Sequence, residues 1–260
     1  MKYFLLLIVT ITIAFMRLVD VKAALKTKVV EYKHGDAVLE GYLAYDDTMQ
    51  GKRPGVLVVH CFRGLRDFDK ERAEQLAKLG YIAFAIDMYG VRPKNDKEAF
   101  ALARIYGDNR SLMRSRASAG LEVLKKHELT DAKRIAAIGY CFGGGVVLEL
   151  ARSGADMAGV VGFHATLDTP NPADAKNIKG KVLILHGADD PVVPTDQVLA
   201  FQDEMRKAKV DWQMVFYGGA VHGFTMSESG TDPSKPAAYN EKADKRSWEA
   251  MKTFFSEIFK

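Results

Sequence analysis

The sequence predicts an α/β fold, a mainly parallel sheet of about eight strands with helices on both faces. Three observations carry that expectation. Strand-length apolar runs alternate with helical stretches along the chain. Several runs, such as residues 56–60 and 182–186, are apolar without alternation up to a terminal histidine. Strands covered on both faces read this way. One run, residues 135–138, passes through glycines directly into a helical stretch, so a strand end and a helix start adjoin.

The elements follow in order. Residues 29–32 and 37–45 alternate in part around His34-Gly35-Asp36 and read as an opening antiparallel hairpin. After a polar loop at 46–54 comes the buried strand 56–60, then an amphipathic helix over 69–79 that Gly80 ends. Residues 81–88 are the next strand, and 90–95 a loop with Pro93. Residues 97–128 are helical, with a break near Gly107-Asp108, and 130–133 lead into the glycine-flanked strand. Later strands are expected at 159–164, 181–186 and 212–217. Thr195 is expected to cap a helix reaching Lys207, and 241–259 to form an amphipathic final helix. In such a sheet, sites form beyond the carboxyl ends of the strands. The segments at those ends are 60–64, Cys141 and 186–190.

Composition bounds the function. The chain has 260 residues, 48% of them hydrophobic and 27% charged, which suits one domain over residues 24–260 with a sizeable core. The net charge of +4 is modest and its lysines and arginines are scattered, which argues against a nucleic-acid partner. Two cysteines, Cys61 and Cys141, make neither a disulfide framework nor a zinc site, so no metal is expected. Residues 1–23 differ in kind: Lys2, an apolar centre over 3–16, then an exit at Val21-Lys22-Ala23-Ala24. That is the pattern of a secretory signal peptide, and the apolar run is short of the ~20 residues a spanning helix needs. The mature chain is expected to be secreted or periplasmic, free of the membrane after cleavage, in an oxidising compartment.

Gly139-Tyr140-Cys141-Phe142-Gly143-Gly144 has the form of a nucleophile elbow with cysteine in the serine place. The turn is sharp, so side chains two positions either side of the nucleophile would collide with strand or helix. A helix N-terminus favours negative charge and stabilises a thiolate or an oxyanion. A buried structural cysteine beside a phosphate loop has the same local look, so partners decide. A thiol nucleophile needs a base, and the base an orienting acid. Of six histidines, His222 sits in a glycine-flanked loop after the last strand and is the candidate base. The acid is expected after the preceding strand, in Gly187-Ala188-Asp189-Asp190-Pro191, with Asp190 first and Asp189 second. The order Cys141, Asp190, His222 is the one this strand–turn–helix chemistry uses. An oxyanion hole then needs two N–H groups, and Phe62 and Phe142 are the candidates. Arg63 is placed to meet a substrate carboxylate or else to be solvated.

Together these residues resemble the dienelactone hydrolase family of the α/β-hydrolase fold. The likeness runs from about Val29 to Phe259 and includes Asp87-Met88-Tyr89-Gly90, the 186–194 run and Gly219-Ala220-Val221-His222-Gly223-Phe224. It implies a cofactor-free hydrolase that opens a small-molecule ester or lactone through a thioester acyl-enzyme. Two departures bear on the substrate. The family type enzyme has a glutamate where this chain has Cys61, and a carboxylate-holding arginine where it has Met226. Without that glutamate the resting site is expected to hold more thiolate. Cys61 facing Cys141 would also open the way to a disulfide. Two alternatives stay open. One is a serine-type esterase, peptidase or acyltransferase activity on the same fold. The other is an exported binding protein on a retired scaffold. Oligomeric state, monomer or dimer, is not set by the sequence.

Overall fold

A computed structural model describes residues 24–260, so the signal-peptide reading of residues 1–23 lies outside the described residues. Strand β1 (Leu25–His34) and β2 (Ala37–Asp46) form an antiparallel hairpin that turns at Gly35, whose φ of 59° suits glycine. The strands β3 (Arg53–Val59), β4 (Ile82–Ile86), β5 (Thr130–Tyr140), β6 (Gly159–Phe163), β7 (Lys181–Gly187) and β8 (Trp212–Tyr217) follow. They build one eight-stranded sheet in the order β1-β2-β4-β3-β5-β6-β7-β8. β2 meets β4 antiparallel, and all pairs from β4 through to β8 are parallel. This is the α/β-hydrolase arrangement.

Period two along the strands assigns the faces. Leu57, Val59, Phe84, Ile86 and Ala137 point to one side. There they pack on helices α3 (Arg110–Lys126), α4 (Phe142–Arg152) and α5 (Thr195–Ala208). Val56, Val58, Ala83, Ala85 and Ile138 point to the other, onto α1 (Asp67–Lys78) and α6 (Glu241–Ile258). Each large aliphatic side chain so buried contributes roughly 1.5–3 kcal/mol, which is why the central runs are apolar at every position.

Local chemistry shifts three boundaries. The helical stretch after the Pro93 loop divides into α2 (Asp96–Asp108) and α3, and the break falls at Asn109. The Asn109 side chain accepts from the Leu112 N–H at 2.9 Å, so it caps the second helix as it ends the first. α1 starts at Asp67, and Asp69 is its third residue; the Asp69 carboxylate accepts from the Arg66 N–H at 2.9 Å. Thr195 is the first helical residue of α5, not its cap. Pro194 holds the cap position in extended backbone, and no side chain closes that end.

The α4 helix is tied down by buried ions. Arg152 is fully buried, and its guanidinium reaches Glu204 at 2.8 Å and Glu149 at 3.0 Å. Arg114 joins Glu149 at 2.7 Å and Asp174 at 2.8 Å. Charges this deep persist only when paired, and here pairing fastens α4 to α3, to α5 and to the 3-10 turn Pro172–Asn177.

Candidate active site

Cys141 sits between β5 and α4 at φ 54° and ψ −116°, a conformation costly for a residue with a Cβ. The backbone around it holds the strain. The Cys141 N–H donates to Phe163 O at 3.0 Å, and its carbonyl accepts from Gly144, Gly145 and Thr166 N–H groups at 3.0, 3.3 and 3.2 Å. Glycine is compulsory at the flanks: a Cβ on Gly139 would strike the Gly143 carbonyl, and one on Gly143 the Val59 carbonyl. The helix start thus lies against the end of β3, with Phe142 at its first position. N–H groups at such a start have no intrahelical acceptor.

His222 and Asp190 meet across the ends of β7 and β8. His222 Nδ1 lies 2.8 Å from Asp190 Oδ2, and both residues are buried. The other carboxylate oxygen accepts from the Val192 and Val193 N–H groups at 2.8 and 3.2 Å, which fixes its plane. Asp189, the second candidate, faces outward and accepts from the Gly219 N–H at 2.8 Å. That is a turn-bracing contact away from the imidazole. Burial alone would lower the His222 pKa, but the Cys141 sulfur and the Asp190 carboxylate outweigh it and raise it to about 10. His222 Nε2 has no oxygen or nitrogen partner and no sulfur contact of ordinary hydrogen-bond geometry. Cys141 is nevertheless the strongest influence raising the ring's pKa, so the two are neighbours in a loose contact of the kind that tightens when substrate binds.

A second imidazole supports the first. His164 directly follows β6 at φ 38°, and its ring stands edge-on to His222 with centroids 5.1 Å apart. Its Nε2 lies 2.8 Å from the Thr225 hydroxyl, in the same loop as His222. Burial first, and His222 second, hold its pKa well below the ordinary value. A neutral ring therefore braces the His222 loop.

The remaining candidates fall into place unequally. Phe62 follows β3, half-buried, with its ring stacked on Phe100 of α2 at 4.2 Å. α2 also brings Tyr106 against Phe142, centroids 6.3 Å apart, so α2 packs on both the loop after β3 and the start of α4. Arg63 is already engaged: it grips Asp96 through two bonds of 2.8 and 2.9 Å and reaches Glu228 at 3.3 Å. Arg66 holds the same Glu228 oxygen. Met226 is buried in the apolar layer beside Phe224. Cys61 and Cys141 are both free thiols. Burial, then Asp69, pushes the Cys61 thiol up to about 12, so it stays protonated and a poor nucleophile. Of two cavities of about 630 and 570 Å³, neither is lined by Cys141, Asp190 or His222; the second is lined by Arg63 and Arg66.

A model of the dienelactone hydrolase family matches residues 39–259. The chain belongs to the dienelactone hydrolase family. It thereby stands among hydrolases of lactone and ester bonds. Among solved structures, one called m3DLH is 40% identical, covers 90% of this chain and 99% of its own, and superposes with a TM-score of 0.87. A dienelactone hydrolase-like promiscuous phosphotriesterase from metagenomic libraries is 39% identical, covering 91% of this chain and 99% of that one, with a TM-score of 0.85. A protein of Bradyrhizobium sp., a probable 2-oxo-3-(5-oxofuran-2-ylidene)propanoate lactonase, is 27% identical over 76% of this chain and 84% of its own.

This dienelactone hydrolase-family chain also carries groups that sequence reasoning passed over. Asp69 is fully enclosed near Cys61, and one of its carboxylate oxygens has no partner. Burial raises its carboxyl to about 7, against the pull of the Arg66 N–H and guanidinium. The only signal in the sequence is an acidic residue at the start of the helix expected over 69–79, and nothing local marks it as enclosed. A carboxyl whose folded pKa exceeds its unfolded one stabilises the fold below the unfolded value and loses that contribution as pH rises through the folded value. Asp69→Asn keeps an oxygen for the Arg66 N–H and cannot ionise. Its stability relative to wild type is therefore expected to rise between about pH 5 and pH 8, by on the order of 2 kcal/mol. Urea unfolding at the two pH values measures it, and parallel changes in both proteins would contradict it.

Proposed function

We propose that this protein hydrolyses an ester or lactone of a small molecule through a thioester on Cys141, with no cofactor. The observation that carries the reading is the buried 2.8 Å contact of His222 Nδ1 with Asp190 Oδ2, on a ring whose pKa is raised chiefly by the Cys141 sulfur. In the cycle, His222 takes the Cys141 proton and the thiolate adds to the carbonyl carbon. The Phe62 and Phe142 N–H groups receive the oxyanion. The tetrahedral adduct collapses, the C–O bond to the alcohol breaks, and His222 returns the proton to the departing oxygen. Water, deprotonated by the same ring, then adds to the thioester; the acid leaves and the thiol is restored.

Substrate selection differs from what the family type enzyme would do. Met226 offers no charge and Arg63 is already paired with Asp96 and Glu228, so no free guanidinium of this set awaits a substrate carboxylate. An uncharged aryl ester or lactone is the first substrate class. The 39% identity to a promiscuous phosphotriesterase favours an aryl phosphate triester as the second to assay. Residues 1–23 are read as an export signal, which makes the mature protein secreted or periplasmic; an intact-mass measurement finding those residues retained would reverse this.

The test is chemical. Protein quenched during p-nitrophenyl acetate turnover should carry one acetyl group on the peptide that contains Cys141. An acetyl group found only on another residue, or none at all during steady turnover, would remove the thioester from the mechanism.

A further inference from the structure

Given the esterase reading above, the geometry points to Tyr89 and His60 as positioning residues of the oxyanion hole, one aromatic block that aims both N–H donors. The Phe62 N–H and the Cys61 carbonyl belong to one planar peptide, so fixing the carbonyl aims the N–H the opposite way. His60 Nδ1 lies 2.6 Å from that carbonyl, and the Gly64 N–H adds a second bond at 3.2 Å. The tautomer is determined by the other nitrogen. The Met88 N–H donates to His60 Nε2 at 3.1 Å, so Nε2 accepts and Nδ1 carries the hydrogen. Burial lowers the His60 pKa, which keeps the ring neutral and this polarity unchanged near neutral pH.

Tyr89 fixes the next peptide. Its hydroxyl donates to the Phe62 carbonyl at 2.8 Å. Tyr89 is itself placed by Asp87, whose two carboxylate oxygens accept from the Tyr89 and Gly90 N–H groups at 2.8 and 3.0 Å. The Phe62 carbonyl is thus held directly from the loop after β4, and the Cys61 carbonyl through His60, whose ring Met88 of the same loop anchors.

The same two rings reach the second donor. Tyr89 and His60 pack on Phe142 with centroids 5.9 and 6.2 Å away, and on each other at 4.9 Å. The peptide that carries the Phe142 N–H is held in turn through the Cys141 carbonyl, which takes three N–H groups. The two donors come from separate loops, after β3 and after β5, and the His60–Tyr89–Phe142 block sets their spacing. Donors aimed before the reaction need no reorganisation when charge develops, which is where an oxyanion hole gets its effect.

Tyr89→Phe keeps the ring and removes only the bond to Phe62. Two rates on the same thiol separate aiming from general damage. Acylation by p-nitrophenyl acetate builds an oxyanion. Alkylation by iodoacetamide forms an S–C bond at a saturated carbon, expels iodide and builds none. Losing a whole donor costs about 10²–10³ in rate, so a loosened one is expected to cost about tenfold in acylation. Alkylation and KM should stay within about twofold of wild type, and the ratio of the two rates in one sample cancels any loss of folded protein. An unchanged ratio in Tyr89→Phe, or both rates falling together, would overturn the inference and leave the hydrolase reading standing. A wild type whose Cys141 alkylates but never acylates would overturn both.

Discussion

Cys141→Ala is expected to fold like the wild type and to lose ester turnover by about a thousandfold or more. The fold should survive because the side chain changes little in size. The elbow backbone is held by the Cys141 N–H donating to Phe163 O and by the Gly144, Gly145 and Thr166 N–H groups donating to the Cys141 carbonyl, bonds that the substitution leaves intact. On the proposed mechanism the rate should collapse, because no thiol remains for His222 to deprotonate. Removal of a nucleophile from a comparable triad leaves only the background that binding and the oxyanion hole supply. Steady-state p-nitrophenyl acetate hydrolysis, with thermal unfolding as the control for folding, measures both halves. Turnover retained in the variant would hand the chemistry to another residue. No turnover in either protein would favour the binding-protein alternative.

Asp190→Asn is expected to cost about a hundredfold or more in kcat/KM, with a change in its pH dependence. The carboxamide oxygen can keep the Val192 and Val193 N–H bonds, so the loop stays in place. The amide N–H₂ would then face His222 Nδ1, turn that nitrogen into an acceptor and send the ring hydrogen toward the sulfur. The wrong tautomer cannot take a proton from a thiol. Loss of the carboxylate charge also lowers the His222 pKa from about 10, since Asp190 is among the groups that raise it. Cys141 alkylation should therefore need a higher pH in the variant. A kcat/KM profile matching wild type from about pH 6 to pH 9 would deny Asp190 any part in orienting the ring.

Much of this arrangement is legible in the sequence. Elbow glycines are legible because their reason is local: Gly139 and Gly143 face backbone carbonyls that no side chain can displace. The strand count followed from apolar runs that admit one reading once helices cover both faces. Asp190 could be ranked above Asp189, but only the contacts separate them, one carboxylate on the ring and the other on Gly219. Other features were not legible because their partners lie in different loops. Tyr89 and Phe62 are 27 residues apart, and Arg63 and Glu228 are 165 apart. No periodicity links such pairs. Thr195 misled for the opposite reason: a good capping residue stood one place too late, behind a proline that took the position.

The Arg63–Asp96–Glu228 contacts have an environmental consequence. All three side chains are partly open to solvent, at 31%, 56% and 40% of their surface. Added electrolyte weakens attractions of that kind, because the Debye length shrinks from about 8 Å at physiological ionic strength to about 3 Å at 1 M. The His222–Asp190 contact is enclosed and feels little of this. Brine would therefore slacken the ties that join the loop after β3 to α2 and to Glu228 while leaving the enclosed His222–Asp190 pair almost as it was, so salinity separates the two sets of contacts.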